Sequence, residues 1–142
     1  MIKLCFVCTG NTCRSVIAEC LTKKYLKEDG LDDVKISSKG LFAKGEPVSE
    51  NTIKVLKTYK INLRSRKSVK LKKVDKDTIY VAMTGKHKDL IDSKKVICFS
   101  SLIGEDIPDP YGQDEKVYEK VAKMIELGVT KLINLIKKWR EM

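Results

Sequence analysis

Histidine is nearly missing from this 142-residue sequence: His87 is the only one. A zinc site of the His₃ or Cys₂His₂ kind therefore cannot be assembled, and a Ser-His-Asp triad would rest on that single imidazole. No metal or other cofactor is expected. Proline is scarce too, with three residues. No Gly/Ser/Pro-rich linker, internal repeat or low-complexity tract interrupts the chain, so residues 1–142 are expected to form one domain. There is no run of about eighteen apolar residues that could cross a bilayer. The stretch from Met1 to Cys8 is too short for a secretory signal and no cleavage region follows it, which points to the cytoplasm and to no membrane partner. A monomer is expected.

Charge and sulfur are plentiful. The 29 basic and 19 acidic side chains leave a net charge of +10, and 42% of residues are hydrophobic, a composition suited to a folded globular chain. The five cysteines are Cys5, Cys8, Cys13, Cys20 and Cys98. An odd count, with four in the first twenty residues, makes a poor disulfide framework. Cys5 and Cys8 form a Cys-x-x-Cys pair, but they lie in a strand-like run whose alternation sends them to opposite faces, so neither a redox pair nor a zinc knuckle is expected. Sulfur, carboxylate and guanidinium groups are left to carry any chemistry.

Residues 2–8 are almost continuously apolar and end at Thr9-Gly10-Asn11-Thr12, the pattern of a strand buried on both faces and then a turn. Val16, Ile17, Cys20, Leu21 and Tyr25 then recur at helical spacing up to Gly30. A second strand is expected over 34–38, a helix capped at Ser49 over about 51–60, and a long helix over about 114–139. Third and fourth strands are expected over 78–83 and 96–99, with a short helix at 86–91 between them. This alternation predicts an α/β fold: a four-stranded parallel sheet flanked by helices on both faces, with ligands bound beyond the carboxyl ends of the strands. The basic run from Arg64 to Lys73 reads as a solvated loop.

The segment Cys8-Thr9-Gly10-Asn11-Thr12-Cys13-Arg14-Ser15 joins the first strand to the first helix, so its backbone N–H groups can converge on an anion as a phosphate-binding loop. Gly10 permits a backbone conformation forbidden to other residues, and Asn11 is the next most tolerant of a left-handed turn. Arg14 offers a planar fork that matches two phosphoryl oxygens. Cys8, placed among N–H dipoles, a helix N-terminus and a guanidinium, is favoured as the thiolate and is the candidate nucleophile. Ser15 can hydrogen-bond it. Attack on a phosphate ester also needs a general acid for the leaving group. Asp109, held in a rigid loop between Pro108 and Pro110, is the candidate.

With these residues in place, the sequence resembles the low-molecular-weight protein tyrosine phosphatase family along its whole length. The family signature Val-Cys-x-Gly-Asn-x-Cys-Arg-Ser stands as Val7 to Ser15, and the late Asp-Pro-Tyr as Asp109-Pro110-Tyr111. Ala18-Glu19, Ser38-Lys39-Gly40 and Ala82-Met83-Thr84 fall between them in the expected order. The resemblance implies that Cys8 forms a phosphocysteine while Arg14 and the amides from Thr9 to Ser15 hold the phosphoryl oxygens. Asp109 would serve as acid and then as base, and Asn11 and Ser15 would shape the loop. Cys13 would be a redox partner able to form a reversible disulfide with Cys8. Cys5, Cys20 and Cys98 read as small core residues.

Four departures bear on substrate and support. Val16 replaces a usual Pro, a change the first helical turn tolerates. A histidine that often braces the loop is absent, with Arg64, Ser65 and Arg66 in its neighbourhood, so the bracing must differ. Thr12 stands where tyrosine phosphatases commonly have Ile, and resembles the bacterial protein arginine phosphatase branch. Gly112 stands where a second Tyr would wall the pocket. Together these favour phosphoarginine narrowly over phosphotyrosine, with Tyr111 lining either pocket and a phosphorylated protein as the substrate.

Three other activities fit less well. An arsenate reductase would need two further resolving cysteines, and a sugar-uptake phosphotransferase subunit would not need Arg14 or Asp109. The basic run lacks interleaved aromatics and no nucleic-acid-binding signature appears, so no nucleic-acid partner is expected. The surplus positive charge is expected to surround the anion pocket and to steer acidic substrates.

Overall fold

The computed structural model describes residues 1–142. Four strands, β1 (Ile2–Cys8), β2 (Val34–Gly40), β3 (Thr78–Ala82) and β4 (Val96–Cys98), pair in parallel in the order β2-β1-β3-β4. Between and after them run α1 (Arg14–Glu28), α2 (Glu50–Thr58), α3 (Gly85–Leu90), α4 (Phe99–Ile103) and α5 (Glu115–Arg140). The expected α/β class, strand count and helices on both faces are all present. Because the chain leaves β1 for β2 on one side and later returns for β3 on the other, the sheet reverses direction beside β1. The loop after β1 therefore opens at that reversal, at the carboxyl end of the sheet.

The central strand is covered on both faces. Leu4, Phe6 and Cys8 enter the main core with α1, α2, α4 and α5, whereas Cys5 and Val7 enter a smaller cluster with Tyr80, Ala82 and Ile91. Cys5 and Cys8 thus face opposite ways, as the alternation predicts, and Cys5, Cys20 and Cys98 are all buried. Burial of the Cys20 thiol, then the charge of Glu19, pushes its pKa up to about 11. It behaves as packing material.

Two expectations need correction. The fourth strand was expected through residue 99, but it stops at Cys98 and Phe99 opens α4, a helix the sequence pattern did not reveal. Phe99 is fully buried against Phe6, with ring centroids 6.3 Å apart. It also fills the space over Gly128 in α5, where an added Cβ would sit 2.2 Å from the ring. Packing into the main core, rather than along the sheet, decides its geometry. The basic run is likewise not wholly solvated. Ser68 is buried, Arg66 pairs with buried Glu19, and Gly40 and Lys70 form an isolated bridge. No helix is long and apolar enough to cross a membrane.

Candidate active site

The loop between β1 and α1 turns its carbonyls away from the opening at the end of the sheet. The oxygens of Cys8, Thr9 and Thr12 accept from the backbone N–H groups of Leu41, Phe42 and Ser49 at 2.9, 2.9 and 3.2 Å, and Thr52 Oγ1 adds a second donor to Thr12 at 2.9 Å. The N–H groups of Thr9, Gly10, Thr12, Cys13, Arg14 and Ser15 meet no protein acceptor. A loop whose carbonyls are occupied and whose amides are free, at the start of a helix, is a cradle for an anion.

The conformation that curls this loop belongs to Asn11, whose φ is 57°. Gly10 is not in the left-handed region, contrary to expectation. The glycine that sterics demand is Gly40 at the end of β2. A Cβ there would lie 2.7 Å from Thr9 O and 2.8 Å from Asn11 N, so Gly40 lets β2 press against the loop's backbone.

Asn11 is 3% exposed and spends both amide protons, on Ser15 Oγ at 2.7 Å and on Ser38 Oγ at 2.9 Å. Each serine oxygen has thereby accepted, so each hydroxyl proton is free to point onward. Ser38 donates to Glu19 Oε1 at 2.6 Å, and the Ser15 hydroxyl, 3.0 Å from Cys8 Sγ, has its proton available to the sulfur. Asn11 N–H reaches the same sulfur at 3.2 Å. Val69 N–H, from the basic segment, holds Asn11 Oδ1 at 2.9 Å. Cys8 is 2% exposed, accepts from the Asn11 N–H and shares a second hydrogen bond with Ser15.

Glu19 anchors the far end of the network. Arg66 reaches its two oxygens at 2.7 and 3.2 Å, and Lys23 adds a bond of 2.6 Å. Burial alone would raise the carboxyl's pKa, but the hydrogen bonds from Arg66, Lys23 and Ser38 outweigh it and leave it below its ordinary value. Arg66 thereby ties the segment after α2 to the network through Glu19 and Ser38.

Arg14 is 5% exposed. Its Nη1 donates to the Ile107 carbonyl at 3.0 Å, and its Nη2 lies 3.4 Å from Thr9 Oγ1 and 3.8 Å from Asp109 Oδ2. Asp109 is half exposed on the facing loop and accepts from Tyr111 N–H at 3.1 Å. Cys8, Arg14 and Asp109 therefore meet at one opening, a cavity of about 310 Å³ that Thr9, Gly10, Thr12, Cys13 and Tyr111 also line. Asn11 and Ser15 stand behind it.

Several contributors escaped the sequence reading. Phe42 lines the cavity and supplies a second aromatic from the turn after β2, and Lys44 and Glu46 flank it. Cys13 Sγ rests 3.1 Å from the hydroxyl of Tyr118 on α5 and 3.4 Å from Ser49 Oγ. Burial, followed by that sulfur contact, raises the pKa of Tyr118 above its ordinary value. His87 contacts Thr9 across 2.8 Å. Burial and then the charge of Arg14 lower its pKa to about 4, against opposition from Asp106 and Asp109. The charges lining the cavity, Arg14 and Lys44 against Glu46 and Asp109, are balanced, so the expected excess of positive charge is not in the pocket wall.

Residues 3–141 match the family described as low molecular weight phosphotyrosine protein phosphatase. A low molecular weight protein-tyrosine-phosphatase, PtpA of Staphylococcus epidermidis, is 32% identical over 97% of this chain and 96% of its own length. Among solved structures, the YwlE arginine phosphatase from Geobacillus stearothermophilus superimposes with a TM-score of 0.85 at 31% identity, covering 99% of this chain and 96% of that one. A YwlE arginine phosphatase mutant with a phosphorylated active site serine has a TM-score of 0.85 at 30% identity, covering 99% of each chain.

Proposed function

Since the chain belongs to the low-molecular-weight phosphotyrosine protein phosphatase family, and is a protein phosphatase of that type, we propose that it hydrolyses phosphoarginine in proteins through a phosphocysteine on Cys8. The observation that carries the chemistry is the sulfur held by Ser15 and Asn11 inside a ring of free amides, with Arg14 and Asp109 at its mouth. The Cys8 thiolate forms a bond to phosphorus as the bond from phosphorus to the leaving nitrogen breaks, and Asp109 gives that nitrogen its proton. Arg14 and the amides from Thr9 to Ser15 take the charge that builds on the phosphoryl oxygens. Water then attacks phosphorus, Asp109 accepts its proton, and the phosphorus–sulfur bond opens to release phosphate.

Thr12 supports the choice of phosphoarginine. It lines the cavity with a short hydroxyl that leaves room for, and can accept from, a guanidinium. Glu46 offers a carboxylate to the same group. Aromatic walls do not oppose this, because a guanidinium stacks on aromatic faces as a phenol does. Phe42 favours the second reading, phosphotyrosine, by giving with Tyr111 the pair of aromatic sides that Gly112 does not supply. Cys13 is read as the redox partner. A peroxide would convert Cys8 to the sulfenic acid, and the Cys13 thiol would displace water to form the disulfide, shielding Cys8 from further oxidation.

Parallel kinetics on a phosphoarginine and a phosphotyrosine peptide decide between the substrates. The native chain is expected to prefer phosphoarginine and Thr12→Ile to reverse that preference. An unchanged preference in Thr12→Ile removes the argument from Thr12.

A further inference from the structure

Thr9 sits at the exposed rim of the catalytic loop, yet its hydroxyl is gripped from behind. His87 Nε2 lies 2.8 Å from Thr9 Oγ1, and His87 Nδ1 lies 3.0 Å from Thr84 Oγ1. Thr84, the N-cap of α3, also accepts the His87 backbone N–H at 3.2 Å. The imidazole is 5% exposed, and both ring nitrogens are committed to side-chain hydroxyls. A hydrophobic residue would fill this space at lower desolvation cost, so the polar pair calls for an explanation beyond packing.

The explanation lies on the other side of Thr9. Arg14 makes two hydrogen bonds to the protein, Nη1 to the Ile107 carbonyl at 3.0 Å and Nη2 to Thr9 Oγ1 at 3.4 Å, while the half-exposed Asp109 carboxylate stands off at 3.8 Å from Nη2. Ile107 is itself pinned through its N–H to Met83 O at 3.0 Å. A threonine hydroxyl at a pocket mouth would otherwise rotate freely toward water. Clamped by His87 it cannot, and in either neutral tautomer of the ring its oxygen keeps a lone pair for Arg14. The charged groups facing the ring are Arg14, Asp106 and Asp109.

We propose that His87 is a positioning residue for phosphoryl transfer: acting through the Thr9 hydroxyl, it fixes the plane of the Arg14 guanidinium so that the remaining N–H groups meet the phosphoryl oxygens. The inference rests on Arg14 being the phosphate ligand. Two pinned edges define a plane, whereas Ile107 alone would leave the fork free to swing, and a misaligned fork loses its bidentate match to phosphate.

Thr9→Val, His87→Leu and the double variant, assayed on p-nitrophenyl phosphate with inorganic phosphate as inhibitor, test it. Each single change should lower kcat/KM and weaken phosphate inhibition by about tenfold, and the double should fall no more than about twofold below the worse single, because both break one link. His87→Gln, which keeps a polar atom near the Nε2 position, should recover most of the loss. The lone imidazole resonance should shift on adding phosphate to the native chain and stay still in Thr9→Val. Additive losses in the double variant, or a folded His87→Leu with native phosphate inhibition, overturn the inference. Should His87→Leu not fold, Thr9→Val decides: its native inhibition by phosphate overturns the inference alone. A native chain that phosphate does not inhibit overturns the reading of Arg14 and this inference with it.

Discussion

The two ends of the sheet handle charge in opposite ways. At the carboxyl end, around Cys8, the buried ionic groups are partnered: Glu19 holds Arg66 and Lys23, Arg14 faces Asp109, and the cavity wall carries equal charge of each sign. At the amino end, Lys72, Lys73, Lys76, Lys94 and Lys95 line a groove of about 620 Å³ whose lining includes one carboxylate, Asp92. None of those five lysines lies within 4.0 Å of a carboxylate. Lysines on flexible stems in water cost little when unpaired, whereas a guanidinium at 5% exposure is costly without partners. A net charge of +10 therefore describes the solvent-exposed end better than the reactive one.

The contrast can be broken most sharply at the sulfur. Cys8→Ser should lose at least about 10⁴-fold in turnover of p-nitrophenyl phosphate while keeping its fold, since the nucleophile has no substitute. Asp109→Asn should cost roughly 10²–10³-fold on a phosphate ester with a poor leaving group and much less on an activated one, as loss of a general acid requires. A loss independent of leaving group would move the acid elsewhere.

Stability offers the next test. His87 has a folded pKa of about 4, below its unfolded value of 6.5. Its contribution is therefore fully present above pH 6.5 and is lost as pH falls from 6.5 toward 4, by roughly 3 kcal/mol in urea unfolding. The single imidazole resonance should report a neutral ring at pH 5, and a charged ring there would refute the buried contact. Arg66→Met should destabilise by about 2 kcal/mol, since Lys23 still serves Glu19, and should slow turnover through Ser38 and Asn11. The smallest effect belongs to the amino end: Lys72→Ala with Lys94→Ala should leave kcat/KM on p-nitrophenyl phosphate within about twofold of native, because screened charges act weakly beyond a Debye length. A larger drop would mean that the two ends are not independent.

What the sequence made legible was local. The apolar run of β1, its end at Thr9-Gly10-Asn11 and the helical spacing after Ser15 follow one another directly in the chain, and the two prolines flank Asp109 directly, so chain pattern picked out the candidate nucleophile, phosphate fork and acid loop. What it hid was distant. Cys13 meets Tyr118 across 105 positions, Thr9 meets His87 across 78 and Glu19 meets Arg66 across 47. No spacing rule links such pairs. Gly10 drew attention because it lies inside the loop, although the close approach is made by Gly40, which only the pairing of Cys8 with Gly40 brings to that place.

The fit of Phe99 over Gly128 sets a constraint on how such a chain can vary. A methyl group at position 128 would collide with the ring, and the ring begins the ten-residue path that leads to Asp109. Bulk at 99 and its absence at 128 should travel together through related sequences, a covariation that records the packing of α4 on α5.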